Sequence, residues 1–236
     1  MLRRGRRWLR SLLGLDLYLR PRKRVPLMRF GNPGAEWSFC PRALNEESVV
    51  YSFGVGTDIS FDLGLIRQFG TVVHAFDPTP RSIEWVLSQD IPERFVFHEY
   101  GIAHFDGEAI FTPPADPMHV SYRMVPAGDA QDAVVTPVLR LESIAQQLGH
   151  SRLHLVKLDI EGAEFDVLEE CLQTGPLIDQ LLVEFHHRWR DIGLERTRHA
   201  IRVVERYGLQ LIYVSPSGTE YAFLRNEERD VGESNP

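Results

Sequence analysis

Cysteine is nearly missing from the chain: Cys40 and Cys171 are the only two among 236 residues. Two thiols make no disulfide framework, so reduced cysteines and a cytoplasmic location are expected. Long hydrophobic runs are missing too, and none approaches the ~18 residues that a spanning helix needs. The leucine-rich stretch 9–19 is interrupted by Ser11, Gly14 and Asp16 and has no small-residue cleavage site, which makes it a poor signal peptide. No Gly-Lys-Ser or Gly-Lys-Thr occurs, which removes a Walker phosphate loop. The dinucleotide fingerprint Gly-x-Gly-x-x-Gly is incomplete, because Gly54 and Gly56 are followed by Ile59 at the third glycine position. That third glycine lets helix and strand close around a pyrophosphate, so its loss disfavours NAD and FAD. Positive charge is scarce outside the start of the chain. Residues 1–24 hold nine Arg or Lys against the single acid Asp16, or +8, which leaves −15 on the remainder of a chain whose net charge is −7. An acidic body argues against broad nucleic-acid binding.

What is present is organised around residues 48–80. The apolar run Val49-Val50-Tyr51 leads into Phe53-Gly54-Val55-Gly56. A helix follows with Phe61, Leu63, Leu65, Ile66 and Phe69 on its apolar side, and Gly70 ends it. A second apolar run stops at Asp77-Pro78. Strand, glycine turn, helix, strand and acid make half of a nucleotide-binding α/β sheet. Gly54 and Gly56 are read as the cofactor turn, since a Cβ there would meet the ligand. Asp77 is read as the acceptor for the two ribose hydroxyls. S-adenosylmethionine has a ribose and an adenine but no phosphate, so the turn and the acid suffice for it.

Four segments are expected: a basic amphipathic stretch 1–24, a Pro/Gly-rich connector 25–45, a body 46–225 and a polar, disordered tail 226–236. Trp8, Leu12, Leu15 and Leu19 recur at helical spacing beside Arg3, Arg4, Arg6, Arg7 and Arg10, which makes 1–24 a candidate for peripheral membrane contact. Trp37 and Phe39 of the connector are expected to pack on the body and to help cover the ligand cleft. In the body, Thr79-Pro80 opens a helix. Residues 94–103 read as the third strand, turning at Asp106-Gly107 into a hairpin with 108–111. Residues 112–132 read as a lid or acceptor loop. Strand 153–159, helix 163–172, strand 180–185 and helix 194–207 follow. A hairpin of 209–214 with 220–225 closes the chain. This alternation predicts a doubly wound, mostly parallel α/β sheet whose ligands bind beyond the carboxyl ends of the strands.

The run Val156-Lys157-Leu158-Asp159-Ile160-Glu161-Gly162-Ala163-Glu164, preceded by Val138-Leu139-Arg140-Leu141-Glu142-Ser143-Ile144, resembles the signature of FkbM-type methyltransferases. These are a branch of the class I S-adenosylmethionine-dependent fold, and the resemblance covers roughly residues 46–225. It implies a seven-stranded sheet with an antiparallel last strand, and methyl transfer to an oxygen of a sugar or small metabolite. The family's first strand ends Asp-x-Gly-Ala-Asn-x-Gly, whereas Ser52 and Asp58 replace its first and last members here. Asp58 is then expected to take over the contact to the cofactor's ammonium. Tyr100 and Gly101 follow the third strand, where the class I fold holds adenine.

Asp159 and Glu161 sit where strand becomes helix, as candidates for cofactor or acceptor contact. Glu184 and His186 alternate on one extended end. His186 is read as the acceptor-side base, oriented by Glu184 or Asp159, with His187 turned away as an internal control. Asp159, Glu184 and His186 also have the donor types of a divalent metal site, but no metal is assigned. The acceptor is a small molecule or a glycan. The alternative function is a non-catalytic binding module on a methyltransferase fold, suggested by Ser52 and Asp58.

Overall fold

The computed structural model describes residues 8–226 apart from 15, 43, 114–121, 126–131 and 190. All but the first residue of the expected tail, 226–236, and most of the expected loop 112–132 lie outside these residues. The centre is a seven-stranded sheet in the order β14 (Leu209–Val214), β15 (Glu220–Arg225), β13 (Gln180–Glu184), β11 (Leu155–Leu158), β3 (Val49–Phe53), β4 (Val72–Phe76), β5 (Phe95–His98), with β10 (Arg152–Leu153) and β12 (Leu177–Ile178) paired apart from it. Its parallel part comprises β3, β4, β5, β11 and β13. β15 is inserted between β13 and β14, antiparallel to both, as the expected closing hairpin requires.

Alternation along the strands feeds two cores. Tyr51, Phe53, Val156, Leu158, Leu181 and Val183 face one side. There they meet α4 (Leu141–Leu148), α5 (Glu164–Thr174) and α6 (Gly193–Arg206) through residues such as Ile144, Leu168 and Val204. Val50, Val73, Leu155 and Leu182 face the other side, against α2 (Ser60–Phe69). α3 (Pro80–Leu87) adds Val86 beside Ala75 and Phe95 on that side. Central strands buried on both faces need such continuous apolar runs. The connector is not wholly irregular, because β1 (Met28–Phe30) and β2 (Trp37–Phe39) form a short antiparallel hairpin. Its Trp37 and Phe39 are buried against α2.

The expected third strand breaks at residues 99–100. β5 stays in the main sheet, while β6 (Gly101–Ile102) enters a second sheet of order β6-β9-β7-β8. The expected hairpin between 94–103 and 108–111 therefore does not form. β7 (Gly107–Thr112) pairs instead with β9 (Val134–Leu139), and with β8 (Arg123–Val125) inside the expected loop. Local turn chemistry at Asp106-Gly107 lost to pairing with a strand about 30 residues on, which no local pattern encodes.

Residues 8–12 form α1, a short helical stretch. Beyond it the first segment is anchored to the body. Leu17 is buried in the main core, and the Asp16 carboxylate lies 2.8 Å from Arg188 Nη2 and 3.3 Å from His187 Nε2.

Candidate active site

An open cleft runs along the carboxyl ends of β3, β4, β11 and β13. At its floor, Gly54 has φ +79°, and a Cβ there would lie 1.7 Å from the carbonyl oxygen of Asp159. The turn after β3 thus crosses the end of β11 so closely that only glycine fits. Gly56, at φ +57°, completes the turn. Lys157 is buried beneath it. Its Nζ donates to the Gly54 carbonyl at 2.8 Å and sits 5.2 Å from the Trp37 ring centroid.

Asp77 closes the turn from the side. Its Oδ2 accepts the N–H groups of Val55 (2.9 Å) and Gly56 (3.0 Å), and its Oδ1 accepts Thr79 N–H (3.0 Å) and Thr79 Oγ1 (2.6 Å). The Thr79 hydroxyl therefore serves Asp77 rather than capping α3. Asp58 borders the cleft, but its oxygens are engaged as well, with Ser60 N–H at 2.8 Å and Asn32 Nδ2 at 3.0 Å. Gly101 lines the cleft beside Pro78. Tyr100 does not reach the lining; its ring packs on Phe76 and His98 instead.

The other end of the cleft is bordered by two loops. After β11 the chain reads Asp159-Ile160-Glu161-Gly162, and Glu161 adopts φ +51°, a left-handed conformation costly for a side-chain-bearing residue. That twist brings Glu161 Oε2 to 3.0 Å from His186 Nε2. Glu164, fully buried at the start of α5, accepts Gly162 N–H at 2.7 Å and His186 N–H at 2.9 Å, and lies 3.2 Å from His186 Nδ1. Burial opposes charge on this imidazole, but the carboxylates of Glu161 and Glu164 outweigh it and raise its pKa to about 11. A ring held by carboxylates on both nitrogens keeps its proton at neutral pH. It does not accept one from a hydroxyl, so the base role expected of His186 does not fit, and its partners are Glu161 and Glu164 rather than Glu184 or Asp159. His187 turns the other way, to Asp16.

Among the described residues no hydrogen bond or ion pair holds the Glu184 or Asp159 carboxyl, although the charge of His186 acts on both. Burial and then the neighbouring Asp159 raise Glu184 to about 8, and burial also raises Asp159. Ligand atoms of Asp159, Glu184 and His186 converge within 4.8 Å of one another. A cation seated among them would have to displace Glu161 from the imidazole.

Lys157 and Asp62 also face this cleft, and the sequence patterns above single out neither as a site residue. Lysine inside a buried strand was a readable signal, as was an acid on the apolar side of α2.

A model of the FkbM methyltransferase domain matches residues 37–211. The chain belongs to the FkbM methyltransferase family. It is 28% identical over 148 residues to the human probable methyltransferase-like protein 24, covering 61% of this chain and 34% of that one. The Rattus norvegicus counterpart is 30% identical over 142 residues, covering 59% and 33%. The chain thus spans about a third of the length of the curated relatives it matches. Among solved structures, the Methanococcus jannaschii fibrillarin pre-rRNA processing protein is similar at TM-score 0.47 and 11% identity, covering 85% of this chain and 82% of that one. The Aeropyrum pernix fibrillarin with natively bound S-adenosyl-L-methionine gives 0.42 and 10%, covering 89% and 85%. At such scores neither adds to what the strand order already establishes. The cofactor of the family is S-adenosylmethionine, and the cleft fits it: a glycine turn closes its floor, and its lining has eight carboxylate residues against one basic residue, Lys157.

Proposed function

We propose that this protein transfers a methyl group from S-adenosylmethionine to a hydroxyl of a neutral sugar or small metabolite. The observation that carries the reading is the charge of the cleft. Eight acids face one lysine among its lining residues; burial favours the neutral form of Asp62, Asp159 and Glu184, and the remaining excess of acids still suits a cofactor bearing an ammonium and a sulfonium and disfavours phosphorylated acceptors and nucleic acid. When bound, S-adenosylmethionine supplies an electrophilic methyl group on sulfur.

The protein's share is positioning and proton handling. The turn at Gly54 and Gly56 and the ends of β4 and β11 hold the donor at the strand ends, while Phe111, Tyr122 and Met124 form an apolar wall for the acceptor. Alignment of oxygen, carbon and sulfur supplies most of the acceleration. Glu184 would take the proton of the acceptor hydroxyl in its deprotonated fraction, which grows as pH rises toward 8. A carboxyl near 8 is matched to that task at physiological pH. Asp159 raises Glu184 by repulsion, and the charged His186 keeps Glu161 out of the pair.

No described helix is long and apolar enough to cross a membrane. Cys40 and Cys171 are free and buried, in keeping with a cytoplasmic enzyme. The basic first segment, with Trp8, Leu9, Leu12 and Leu13 exposed, makes peripheral contact with an anionic membrane part of this reading.

The test is thermal stabilisation followed by transfer. S-adenosylhomocysteine at ~100 times its dissociation constant should stabilise the fold by ~2.7 kcal/mol, and NAD should not. Labelled S-adenosylmethionine should then mark neutral glycans or small hydroxylated metabolites in fractionated extract. Label confined to phosphorylated or nucleic-acid fractions would overturn the acceptor class. Cofactor binding with no transfer to any fraction would favour the binding module.

A further inference from the structure

Asp62 is the third residue of α2 and is only 2% exposed, yet it borders the cleft beside the glycine turn. Among the described residues its Oδ1 makes no hydrogen bond of ordinary geometry, and neither does the buried Ser52 Oγ; burial raises the pKa of Asp62, which the Lys157 charge and then the neighbouring Ser52 hydroxyl partly offset. A buried carboxylate oxygen without a donor is costly, and such a group persists where a ligand supplies the donor. The other acids of this end are spoken for: Asp58 by Ser60 and Asn32, Asp77 by Val55, Gly56 and Thr79. Lys157 lies in the same wall. Its ammonium has three donors. The Gly54 carbonyl takes one at 2.8 Å and the Phe53 carbonyl lies at 3.5 Å, which leaves donor capacity toward the cleft. A carboxylate lacking a donor and an ammonium with one to spare, together under the turn, match a zwitterion.

We propose that Asp62 and Lys157 form a socket for an α-amino-acid head group, with Asp62 receiving the ammonium and Lys157 the carboxylate. The inference rests on S-adenosylmethionine as the cofactor and assigns its amino-acid end to Asp62 in place of Asp58. Ser52, where the family carries an acid, lies beside Asp62, so the negative charge has moved from the strand to the facing helix.

The experiment compares two ligands by calorimetry on the full chain. S-adenosylhomocysteine carries the amino-acid head, while 5′-methylthioadenosine has the same nucleoside without it. Losing the charged hydrogen bond in Asp62→Asn should weaken S-adenosylhomocysteine about tenfold or more, and should leave methylthioadenosine unchanged. Equal losses for both ligands, or no loss for either, overturn the socket. If Asp62→Asn does not fold, Lys157→Met takes its place with the same expected selectivity and the same overturning results. Wild-type protein that binds both ligands equally overturns the socket but keeps the cofactor. Wild-type protein that binds neither overturns the cofactor reading itself.

Discussion

Both oxygens of Asp77 are occupied by the protein, with backbone donors of the glycine turn on one and Thr79 on the other. The residue expected to bind ribose thus also builds the glycine turn beside it. A ribose can share these oxygens only by adding to, or replacing, bonds already made. Asp77→Ala should therefore act on both counts. It leaves buried N–H groups of Val55 and Gly56 without an acceptor, which should cost about 2 kcal/mol or more of stability. Cofactor affinity should fall with it, by about tenfold or more. Denaturant melts of the apo protein check the first part and calorimetry the second. An apo stability equal to wild type would remove Asp77 from the scaffold.

The loop from β11 into α5 stores strain at Glu161 and charge at His186, and the two are linked by one ion pair. Their titration gives stability a direction. His186 rises from an ordinary 6.5 to about 11, and Glu184 from 4.5 to about 8. Between each pair of values the folded chain holds a proton that the unfolded chain has released, so stability is lost as pH rises. The windows overlap from 6.5 to about 8, where the apo protein should weaken most steeply. The limit is about 1.4 kcal/mol per pH unit for each proton. Melting temperature measured from pH 6 to 9 should fall. In Glu161→Gly the fall should be shallower, because the imidazole loses its Nε2 partner while glycine relieves the positive φ. A melting temperature that rises over this range in the wild type would refute both assignments.

In the molecule as a whole, the first segment is attached rather than appended. Leu17 fills the main core, Asp16 meets His187 and Arg188 next to the acceptor loop, and Arg22 N–H donates to Leu211 at 2.8 Å. Deleting residues 1–24 should therefore destabilise the body by several kcal/mol, through a lost leucine and the exposed partners of Asp16. A gentler variant separates docking from surface binding. Trp8→Ser with Leu12→Ser changes two exposed side chains and should leave the melting temperature unchanged. It should reduce sedimentation with anionic vesicles at low salt. Full-length protein that ignores such vesicles would refute the membrane contact.

The chain's own order of residues determined a good deal. Short continuous apolar runs, Gly54 and Gly56, and the strand-ending Asp77 and Asp159 specified a doubly wound sheet with its ligands at the carboxyl ends, because these signals are local. The run from Lys157 to Glu164 specified the family. Tertiary structure alone decided which acids are spent and which are free to act. That depends on groups brought within about 3 Å from far along the chain. Asp16 meets His187 across 171 positions, Glu164 meets His186 across 22, and Gly54 presses on Asp159. Carboxylates look alike in a sequence. Whether one caps a turn, charges a histidine or waits for a ligand is set by the donors that folding delivers to it.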